Sequence, residues 1–254
     1  MFMEERLEKI YEILKRDNNV KVKDLSLEFN VSEGMIRKDL AKLEKMYNIK
    51  RTYGGAILER QLVHNENTTS RVINNFEGKE EIAKKAINLI EENDVIFMDI
   101  SSTNYMMASL MYNLKKKITV VTNMNRIAMV FDNISNIEVI LIGGSYNKNL
   151  GGTIGSKAES QIREIKIDKA FIGAGGINLE ENFLSNFNYE ESTTKKLIIE
   201  QSKKTYILTT NDKFYKDGSY KFCELKEIDF IITDKRVDEK ILKEIEKFKV
   251  KIIF

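Results

Sequence analysis

The sequence of 254 residues contains no proline and only one cysteine and one histidine. Without proline, the chain must make its turns with Gly, Asn, Asp and Ser. The single cysteine, Cys223, excludes an internal disulfide, and the N-terminal stretch MFMEERLEKI is charged where a signal peptide would need an apolar run. We therefore expect a protein of the reducing cytoplasm.

Long apolar runs and a strong net charge are also missing. No stretch approaches the ~20 apolar residues that a membrane-spanning helix needs, which excludes insertion in a bilayer. The formal net charge is only +2, so no global field attracts nucleic acid or membrane, and any such partner must meet a local patch. Hydrophobic residues at 42% and charged residues at 31% are typical of a globular protein with enough apolar material for a core.

Residues 1–58 have the pattern of short helices followed by a hairpin. Apolar residues recur at helical spacing in a first helix, the polar run RDNN at 16–19 ends it, and a shorter second helix follows. Ser32 is well placed as the N-cap of a third helix, in which Ile36, Leu40 and Leu43 share one face. Two short strands, NIKR and GAIL, then flank a turn with two glycines. This order predicts a small N-terminal winged helix-turn-helix domain.

From Lys79 onward, helical segments alternate with continuous apolar, β-branched runs. These runs are VIFMD, ITVVTN, IEVILIGG, KAFIGAGG, TYILTT, FIITD and VKIIF. Buried runs separated by amphipathic helices are typical of a parallel sheet covered on both faces. We therefore predict a larger parallel-sheet α/β domain over 79–254, joined to the first domain by a polar linker over 59–78. The lone histidine, His64, lies in this linker, and we assign it no role.

The third helix is apolar on one side and basic on the other. Between Gly34 and Gly54 there are six basic residues and two acidic ones, a net charge of +4. Lysines on a helix are often only solvated, but this helix and hairpin are the elements that a winged helix-turn-helix places against DNA. Basic side chains would neutralise phosphates while the first helical turn meets base edges. The predicted DNA-contacting residues are Ser32, Glu33, Gly34, Met35, Arg37, Lys38, Lys42, Arg51, Thr52 and Tyr53.

Three polar loops follow predicted strands of the larger domain. They are DISSTN at 99–104, TNMN at 122–125 and GGSYNKN at 143–149. A hydroxyl-rich turn that opens a helix offers N–H groups and hydroxyls to an anion, although simple capping by Ser102 or Thr103 would explain the first loop by itself. Because α/β sheets bind ligands at the carboxyl ends of their strands, the three loops together predict a binding site.

Several motifs, taken in order, resemble the DeoR family of bacterial transcriptional regulators. They include VSEGMIRKDL at 31–40, RTYGGA at 51–56, VVTN at 120–123, DKAFIGAGG at 168–176 and KF at 213–214, so that nearly the whole chain is covered. The resemblance implies a repressor of a sugar metabolism operon that binds operator DNA. It also implies a sensor domain similar in fold to sugar-phosphate isomerases, with a phosphorylated sugar as effector. We further expect a homo-oligomer, because a single winged helix covers few base pairs.

The expected effector site combines the three loops with one residue further along the chain. Hydroxyls and loop amides would hold the phosphate, Lys213 would add positive charge beside it, and Asp99 would accept hydrogen bonds from sugar hydroxyls. The predicted effector-contacting residues are Asp99, Ser101, Ser102, Thr103, Thr122, Asn123, Gly143, Gly144 and Lys213. We expect no cofactor and no metal.

Two other functions remain open at this point. The larger domain could be an enzyme acting on a sugar phosphate, with candidate acids Asp99, Asp168, Glu180, Glu181 and Glu190. None of these is paired with a histidine in the sequence and no metal-ligand spacing is present, so we expect no catalytic residues. Alternatively, the sensor could serve only for oligomerisation, because Ser101 and Thr210 replace a glycine and an aspartate that are usual in the family. Operator affinity measured with and without sugar phosphates would separate the three functions.

Overall fold

The computed structural model describes residues 2–62, 71 and 73–254. The chain divides into two compact units, Met1–Gln61 and Leu62–Phe254. The sequence places the domain limits at 58 and 79; the wing of the first unit ends at Leu58, and a helix of the second unit begins at Phe76. Of the predicted linker, residues 63–70 and 72, His64 among them, lie outside the described residues.

The first unit combines helices with a three-stranded antiparallel sheet of order β1-β3-β2. In chain order, its elements are α1 (Met3–Asp17), β1 (Asn19–Lys21), α2 (Val22–Glu28), α3 (Glu33–Met46), β2 (Ile49–Thr52) and β3 (Gly55–Leu58). Helices α2 and α3 form the helix-turn-helix, and β2 and β3 form the wing, which confirms the predicted fold. The strand β1 is absent from the prediction because three residues are too few for a periodic pattern.

Local sequence explains where these elements begin and end. Helix α1 is followed by Asn18, whose left-handed backbone (φ 62°) stops the helix. Helix α3 is capped by Ser32, whose side chain accepts a hydrogen bond from the N–H of Met35 at 3.3 Å. A β-carbon on Gly55 would lie 2.0 Å from the carbonyl oxygen of Val20. Only glycine therefore allows the wing to approach β1 as closely as it does.

The second unit is built on a seven-stranded parallel sheet. In spatial order its strands are β17 (Lys251–Ile253), β16 (Phe230–Ile232), β13 (Ser202–Leu208), β10 (Ile167–Gly173), β5 (Val95–Met98), β6 (Ile118–Thr122) and β7 (Ile137–Leu141). Each strand corresponds to one of the seven apolar runs in the sequence. The predicted parallel-sheet α/β fold is thus confirmed.

Helices cover this sheet on both faces. Those of the described residues are α4 (Phe76–Ile87), α5 (Ser102–Leu110), α6 (Asn125–Val130), α7 (Ser156–Ile162), α8 (Tyr189–Glu200) and α9 (Glu239–Glu246). Successive side chains of a strand point to opposite faces, so Phe97 and Ile172 belong to one apolar cluster, whereas Met98 and Phe171 belong to the other. Burial on both faces explains why the strands are continuously apolar.

Shorter strands lie outside the main sheet. Strand β8 (Ser145–Asn147) pairs with β9 (Gly152–Ile154), and β12 (Phe183–Asn186) lies between β11 (Gly176–Asn178) and β15 (Tyr220–Cys223), all antiparallel. Strands β4 (Gln61–Leu62) and β14 (Lys216–Asp217) have two residues each. The sequence pattern does not predict any of these strands, because segments of two to four residues carry no reliable periodicity.

The order of the strands reverses between β5 and β10. From β5 the chain proceeds to β6 and β7 on one side, and it later adds β10, β13, β16 and β17 on the other. At such a switch point the connections leave the sheet in opposite directions and open a crevice at the carboxyl ends of the strands. Asp99 follows β5, and its Oδ1 accepts a hydrogen bond from the N–H of Gly173, the last residue of β10, at 3.1 Å. The switch point is therefore the first candidate for a ligand site.

Candidate functional site

The side of α3 that faces away from the core carries most of the predicted DNA-contacting residues. Ile36, Leu40 and Leu43 are buried in the core of the first unit, which leaves the other side of the helix exposed to solvent. The exposed residues include all those predicted to contact DNA, namely Ser32, Glu33, Gly34, Met35, Arg37, Lys38 and Lys42 on or beside the helix and Arg51, Thr52 and Tyr53 on the wing.

Some of the basic side chains on this surface are paired with neighbouring carboxylates. The pairs are Arg37 with Glu33 at 2.9 Å, Lys50 with Glu59 at 3.1 Å and Arg51 with Glu44 at 2.8 Å. The backbone N–H of Arg51, and then its guanidinium, hold the pKa of Glu44 below its ordinary value. Lys38 and Lys45 form no ion pair with any described residue. Because pairs in solvent are weak, a phosphate oxygen can replace the carboxylates.

Asp39, the remaining acidic residue of this helix, does not reach the exposed surface. It is 2% exposed, and its Oδ2 accepts a hydrogen bond from Arg6 Nε of α1 at 2.7 Å. Its charge is therefore balanced inside the unit. Asp39 therefore does not lie among the exposed basic side chains of α3.

At the switch point of the second unit, the carboxylate of Asp99 is held by donors from the protein itself. Asp99 is 1% exposed. Its Oδ1 accepts hydrogen bonds from the N–H of Gly173 at 3.1 Å and from Asn104 Nδ2 at 2.8 Å, and its Oδ2 accepts one from Lys195 Nζ. One carboxylate thus ties together β5, β10, α5 and α8.

Lys195 and Glu191 join Asp99 in a buried cluster that the sequence prediction does not contain. The two residues are one turn apart on α8, both 2% exposed, and Lys195 Nζ lies 3.2 Å from Glu191 Oε1. Burial opposes the charge on Lys195, but the carboxylates of Asp99 and Glu191 outweigh it, so that the pKa of Lys195 is raised above its ordinary value. The sequence prediction named Glu190, the exposed neighbour, among the candidate acids.

The loop after β5 contains three predicted effector residues besides Asp99. Ser101 caps α5, because its Oγ accepts a hydrogen bond from the N–H of Asn104 at 3.1 Å. Capping therefore comes from Ser101 and not from Ser102 or Thr103, which are buried in the first turn of the helix. A β-carbon on Gly173 would lie 2.5 Å from Ser101 Cβ. Ser101 consequently packs directly against the end of β10.

The loop after β6 is fixed by its own side chains. Thr122 Oγ1 donates to the carbonyl of Met98 at 2.7 Å and accepts from the N–H of Met124 at 3.1 Å. Asn123 Nδ2 donates to the carbonyl of Thr153 at 3.0 Å. These bonds hold the loop against β5 on one side and β9 on the other.

The two remaining predicted segments lie on opposite sides of the switch point. After β7, the N–H of Gly143 donates to Gln161 Oε1 at 3.1 Å, and Gly144 adopts φ 144°, where a β-carbon would lie only 3.1 Å from Ala158 Cβ. Lys213 lies in a short 3-10 helix after β13, where its Nζ is 3.7 Å from Asp212 Oδ2. The loops after β5 and β6 are thus adjacent, while Lys213 follows a strand beyond β10.

Several buried polar atoms in this part of the unit have no hydrogen-bond partner among the described residues. They are Asn104 Oδ1, Asn123 Oδ1, Asn125 Oδ1, Ser192 Oγ, Thr209 Oγ1 and both carboxylate oxygens of Glu191, of which Oε1 has only its ion-pair contact with Lys195. The residues follow β5, β6 or β13, or lie in the first turn of α8. Buried polar atoms are almost always paired, whether with protein, water or a ligand. Their concentration at the carboxyl edge indicates a site that takes up polar molecules.

Other kinds of site find no support among the described residues. No group of three or more His, Cys, Asp and Glu side chains there could hold a metal ion. No described helix is long and apolar enough to cross a membrane. Cys223 is buried, and burial raises the pKa of its thiol well above the ordinary value. The candidate site is thus composed of hydroxyls, amides, carboxylates and one ammonium group.

Two family models match the chain. The model of the DeoR-like helix-turn-helix domain matches residues 6–61, and the model of the DeoR C terminal sensor domain matches residues 74–235. The matches cover most of both compact units.

Relatives of similar length match almost end to end. The HTH-type transcriptional regulator GolR of Listeria innocua is 32% identical, over 97% of this chain and 96% of that protein. The HTH-type transcriptional repressor GlcR of Bacillus subtilis is also 32% identical, over 92% and 90%. The lactose phosphotransferase system repressor of Lactococcus lactis is 29% identical, over 96% and 95%.

Solved structures match over a smaller share of the chain. Ribose 5 phosphate isomerase A of Neisseria gonorrhoeae has a TM-score of 0.40 and 16% identity, over 54% of this chain and 53% of that chain. The tetrameric eIF2B-beta2-delta2 complex of C. thermophilum gives a TM-score of 0.48 and 12% identity, over 68% and 61%.

Proposed function

Because this chain belongs to the DeoR family of transcriptional regulators, we propose that it represses a sugar metabolism operon in response to a phosphorylated sugar. The winged helix-turn-helix binds operator DNA, and the α/β unit binds the effector and oligomerises. Relatives named as GlcR repressor, lactose phosphotransferase system repressor and putative aga operon repressor support the link to sugars.

The DNA-binding part rests on the exposed surface of α3 and the wing. The apolar side of the helix is buried, so its first turn, with Glu33, Gly34 and Met35, is the part available to base edges. Arg37, Lys38 and the exposed wing residues would contact phosphates, which fix the register on the duplex. Glu33 has two roles in this proposal, since it orients Arg37 in the free protein and can accept from a cytosine amino group in the complex.

The observation that carries the sensing part is the set of unpartnered buried polar atoms at the carboxyl edge of the sheet. A sensor kept only for oligomerisation would have no reason to retain them, since each costs about 1–3 kcal/mol when unpaired. The loops after β5 and β6 would supply hydroxyls and N–H groups from Ser102, Thr103 and Asn123. The phosphate would bind at these two adjacent loops, because Gly143 and Gly144 follow β7 and Lys213 follows β13, on opposite sides of the switch point.

Repression would be relieved by thermodynamic linkage between the two ligands. If the effector favours an arrangement of the oligomer in which paired winged helices no longer match the half-site spacing, operator affinity falls. The factor by which operator affinity falls equals the ratio of the effector affinities for the two arrangements. A 100-fold ratio therefore changes the free energy of operator binding by about 2.7 kcal/mol.

Operator binding titrated by fluorescence anisotropy tests this function. DNA fragments from upstream of the gene itself and of adjacent sugar genes are titrated with and without glucose 6-phosphate, fructose 6-phosphate and ribose 5-phosphate. We expect specific binding that at least one sugar phosphate weakens by more than tenfold. Specific binding that none of the sugar phosphates changes would leave only the oligomerising role for the α/β unit. The absence of specific binding to any fragment would overturn the proposal as a whole.

The same mixtures distinguish a regulator from an enzyme. The buried Glu191 and Lys195 form an acid and base pair of the kind that could transfer a proton, so conversion of the sugar phosphates must be measured directly. We expect each sugar phosphate to be recovered unchanged after prolonged incubation with the protein. Turnover, followed by NMR of the sugar, would show that the enzyme alternative is correct.

A further inference from the structure

The unpartnered atoms at the switch point share one chemical property, which is that most of them are hydrogen-bond acceptors. Asn104 Nδ2 already donates to Asp99 and to the carbonyl of Phe171, and Asn123 Nδ2 donates to Thr153. These bonds fix the orientation of both amides and leave their Oδ1 atoms without a donor. The carboxylate of Glu191 adds two more acceptors, and only Ser192 and Thr209 could also donate.

Glu191 is the strongest of these acceptors. It is 2% exposed, and although Oε1 contacts Lys195 Nζ as an ion pair at 3.2 Å, neither oxygen accepts a hydrogen bond of ordinary geometry. Asp99 differs, because Gly173, Asn104 and Lys195 all donate to it. Of the two buried carboxylates, only Glu191 therefore has oxygens that can accept from a bound molecule.

The charge of the cluster decides which end of an effector fits here. Two carboxylates, Asp99 and Glu191, surround the single ammonium of Lys195, which gives a formal charge of −1 in a buried place. A phosphate would be repelled from such a cluster, whereas neutral hydroxyl groups supply the missing donors.

We propose that Glu191 recognises hydroxyl groups of the effector, with each carboxylate oxygen accepting from one of two adjacent hydroxyls while Lys195 and Asp99 hold it in position. This rests on the proposed function, because it takes the effector to be a sugar phosphate, and it assigns the sugar end of that molecule to the switch point. The phosphate then lies toward the loop amides. Asn104 Oδ1, connected to Glu191 through Asp99 and Lys195, is a second acceptor for the same sugar.

Glu191→Gln and its neighbour Glu190→Gln form a matched pair for testing this role. Both replace a carboxylate by an amide in the first turn of α8, but Glu190 is exposed. Operator affinity without sugar should be equal in both variants and in wild type. Affinity for the sugar phosphate, measured by calorimetry with the three sugar phosphates named above, should fall about 10- to 100-fold in Glu191→Gln only, as expected for lost bonds to a charged acceptor.

Deoxy sugars identify the hydroxyl contact itself. Wild type should bind 2-deoxyribose 5-phosphate or 2-deoxyglucose 6-phosphate more weakly than the parent sugar, whereas Glu191→Gln should bind parent and deoxy sugar almost equally. Equal binding of the parent sugar by wild type and Glu191→Gln would overturn the inference and leave the proposed function intact. If wild type responds to no sugar phosphate at all, the proposed function itself fails.

The stability of the Glu191 variants distinguishes sugar recognition from a purely structural role. Lys195 keeps Asp99 as its partner in Glu191→Gln, so the melting temperature should stay close to that of wild type. Glu191→Asp keeps the charge but withdraws it by one methylene, and it should also lose sugar affinity while remaining folded. If both variants unfold, Glu191 is needed for the fold and the inference is wrong.

Discussion

Arg6 Nε donates a hydrogen bond to Asp39 Oδ2 at 2.7 Å, and this ion pair, with side chains 7% and 3% exposed, joins α1 to α3, the helix proposed to contact DNA. The hydrogen bond to Asp39 raises the pKa of Arg6 above its ordinary value, against the effect of burial. The orientation of α3, and with it the direction of its exposed basic side chains, is thus fixed from inside the unit. We therefore expect operator binding to depend on Arg6 and Asp39, although neither is predicted to contact DNA.

Replacing Asp39 by alanine should destabilise the first unit strongly. Removing one partner of a buried pair leaves the other charge unpaired, which costs about 3–5 kcal/mol. Hydrogen exchange can report this for the first unit separately, since amides of α1 and α3 should lose protection while those of the parallel sheet keep theirs. Operator binding should fall in proportion to the fraction unfolded.

Two comparisons make that result specific. Replacing both partners by apolar residues, as in Arg6→Met with Asp39→Leu, should recover much of the protection, because no charge is then left unpaired. Lys9→Ala, which breaks the exposed pair with Glu5, should leave exchange unchanged. Full protection in Asp39→Ala would show that the pair contributes little to the stability of the unit.

Arg37→Ala combined with Lys38→Ala should abolish specific operator binding and reduce its dependence on salt. Each phosphate contact contributes about −0.9 to the slope of log affinity against log salt concentration, so the slope should become less negative by one to two such steps. Both side chains are exposed, so the fold should be retained. Anisotropy titrations at several salt concentrations measure affinity and slope together.

A matched double variant controls for charge alone. Lys240→Ala with Lys243→Ala removes two exposed charges from α9 of the second unit. It should leave the slope and the specific affinity as they are in wild type. If the two double variants behave alike, α3 is not the DNA-contacting helix.

The first unit and the main sheet could be predicted because their signals are local. The spacing of Ile36, Leu40 and Leu43 is set within a single helix, and each of the seven strands is a continuous apolar run. For α3, the sequence does not show that Asp39 is buried and paired, because its partner Arg6 lies 33 positions earlier in the chain. Patterns within one element reveal its buried side, but they do not reveal which polar residue on that side has a distant partner.

The buried cluster of Asp99, Glu191 and Lys195 is a second case in which the sequence does not reveal distant partners. Asp99 is named from the sequence because it directly follows a strand, but Lys195 comes 96 positions later in a helix of mixed polarity. One signal was available: Glu191, Lys195 and Ile198 share a face of α8 that is buried. Charged residues four apart on an otherwise buried face indicate either an internal ion pair or a ligand site.

Asp99→Asn should lower the melting temperature of the second unit. Lys195 then keeps only its contact with Glu191, and the amide offers one acceptor oxygen where Gly173, Asn104 and Lys195 donate to two. A buried donor left unpaired costs about 1–3 kcal/mol, or roughly 5 °C for a unit of this size. Because Lys195 also positions Glu191, the response to sugar phosphate should fall as well. Calorimetric scans with and without ribose 5-phosphate separate the two effects, and a normal melting temperature with no response would instead favour direct contact between Asp99 and the sugar.

Asp168 should contribute to stability only above acidic pH. Lys203 Nζ, at 2.7 Å, and the N–H of Val95, at 2.9 Å, lower its pKa below the ordinary value of 3.8. A carboxylate whose pKa is lowered by folding stabilises the protein above its ordinary pKa, and this contribution is lost as the pH falls through the lowered value. Asp168→Asn should therefore be less stable than wild type at pH 7 and nearly equal to it at pH 2, as judged by urea unfolding. An equal deficit at both pH values would assign the effect to packing.

The proposed oligomer should be visible both in solution and on DNA. A single recognition helix contacts few base pairs, so specific affinity requires at least two copies on repeated half-sites. Sedimentation of the full chain at micromolar concentration should give a species of at least twice the monomer mass of 29.5 kDa. Operator fragments with one half-site scrambled should bind at least about tenfold more weakly. Inserting five base pairs between the half-sites should have the same effect, because the insertion turns the second half-site to the other side of the duplex. A monomer that binds the intact and the scrambled operator with equal affinity would contradict the requirement for two copies. Weaker binding to the operator with the insertion would show that the two copies are held at a fixed spacing.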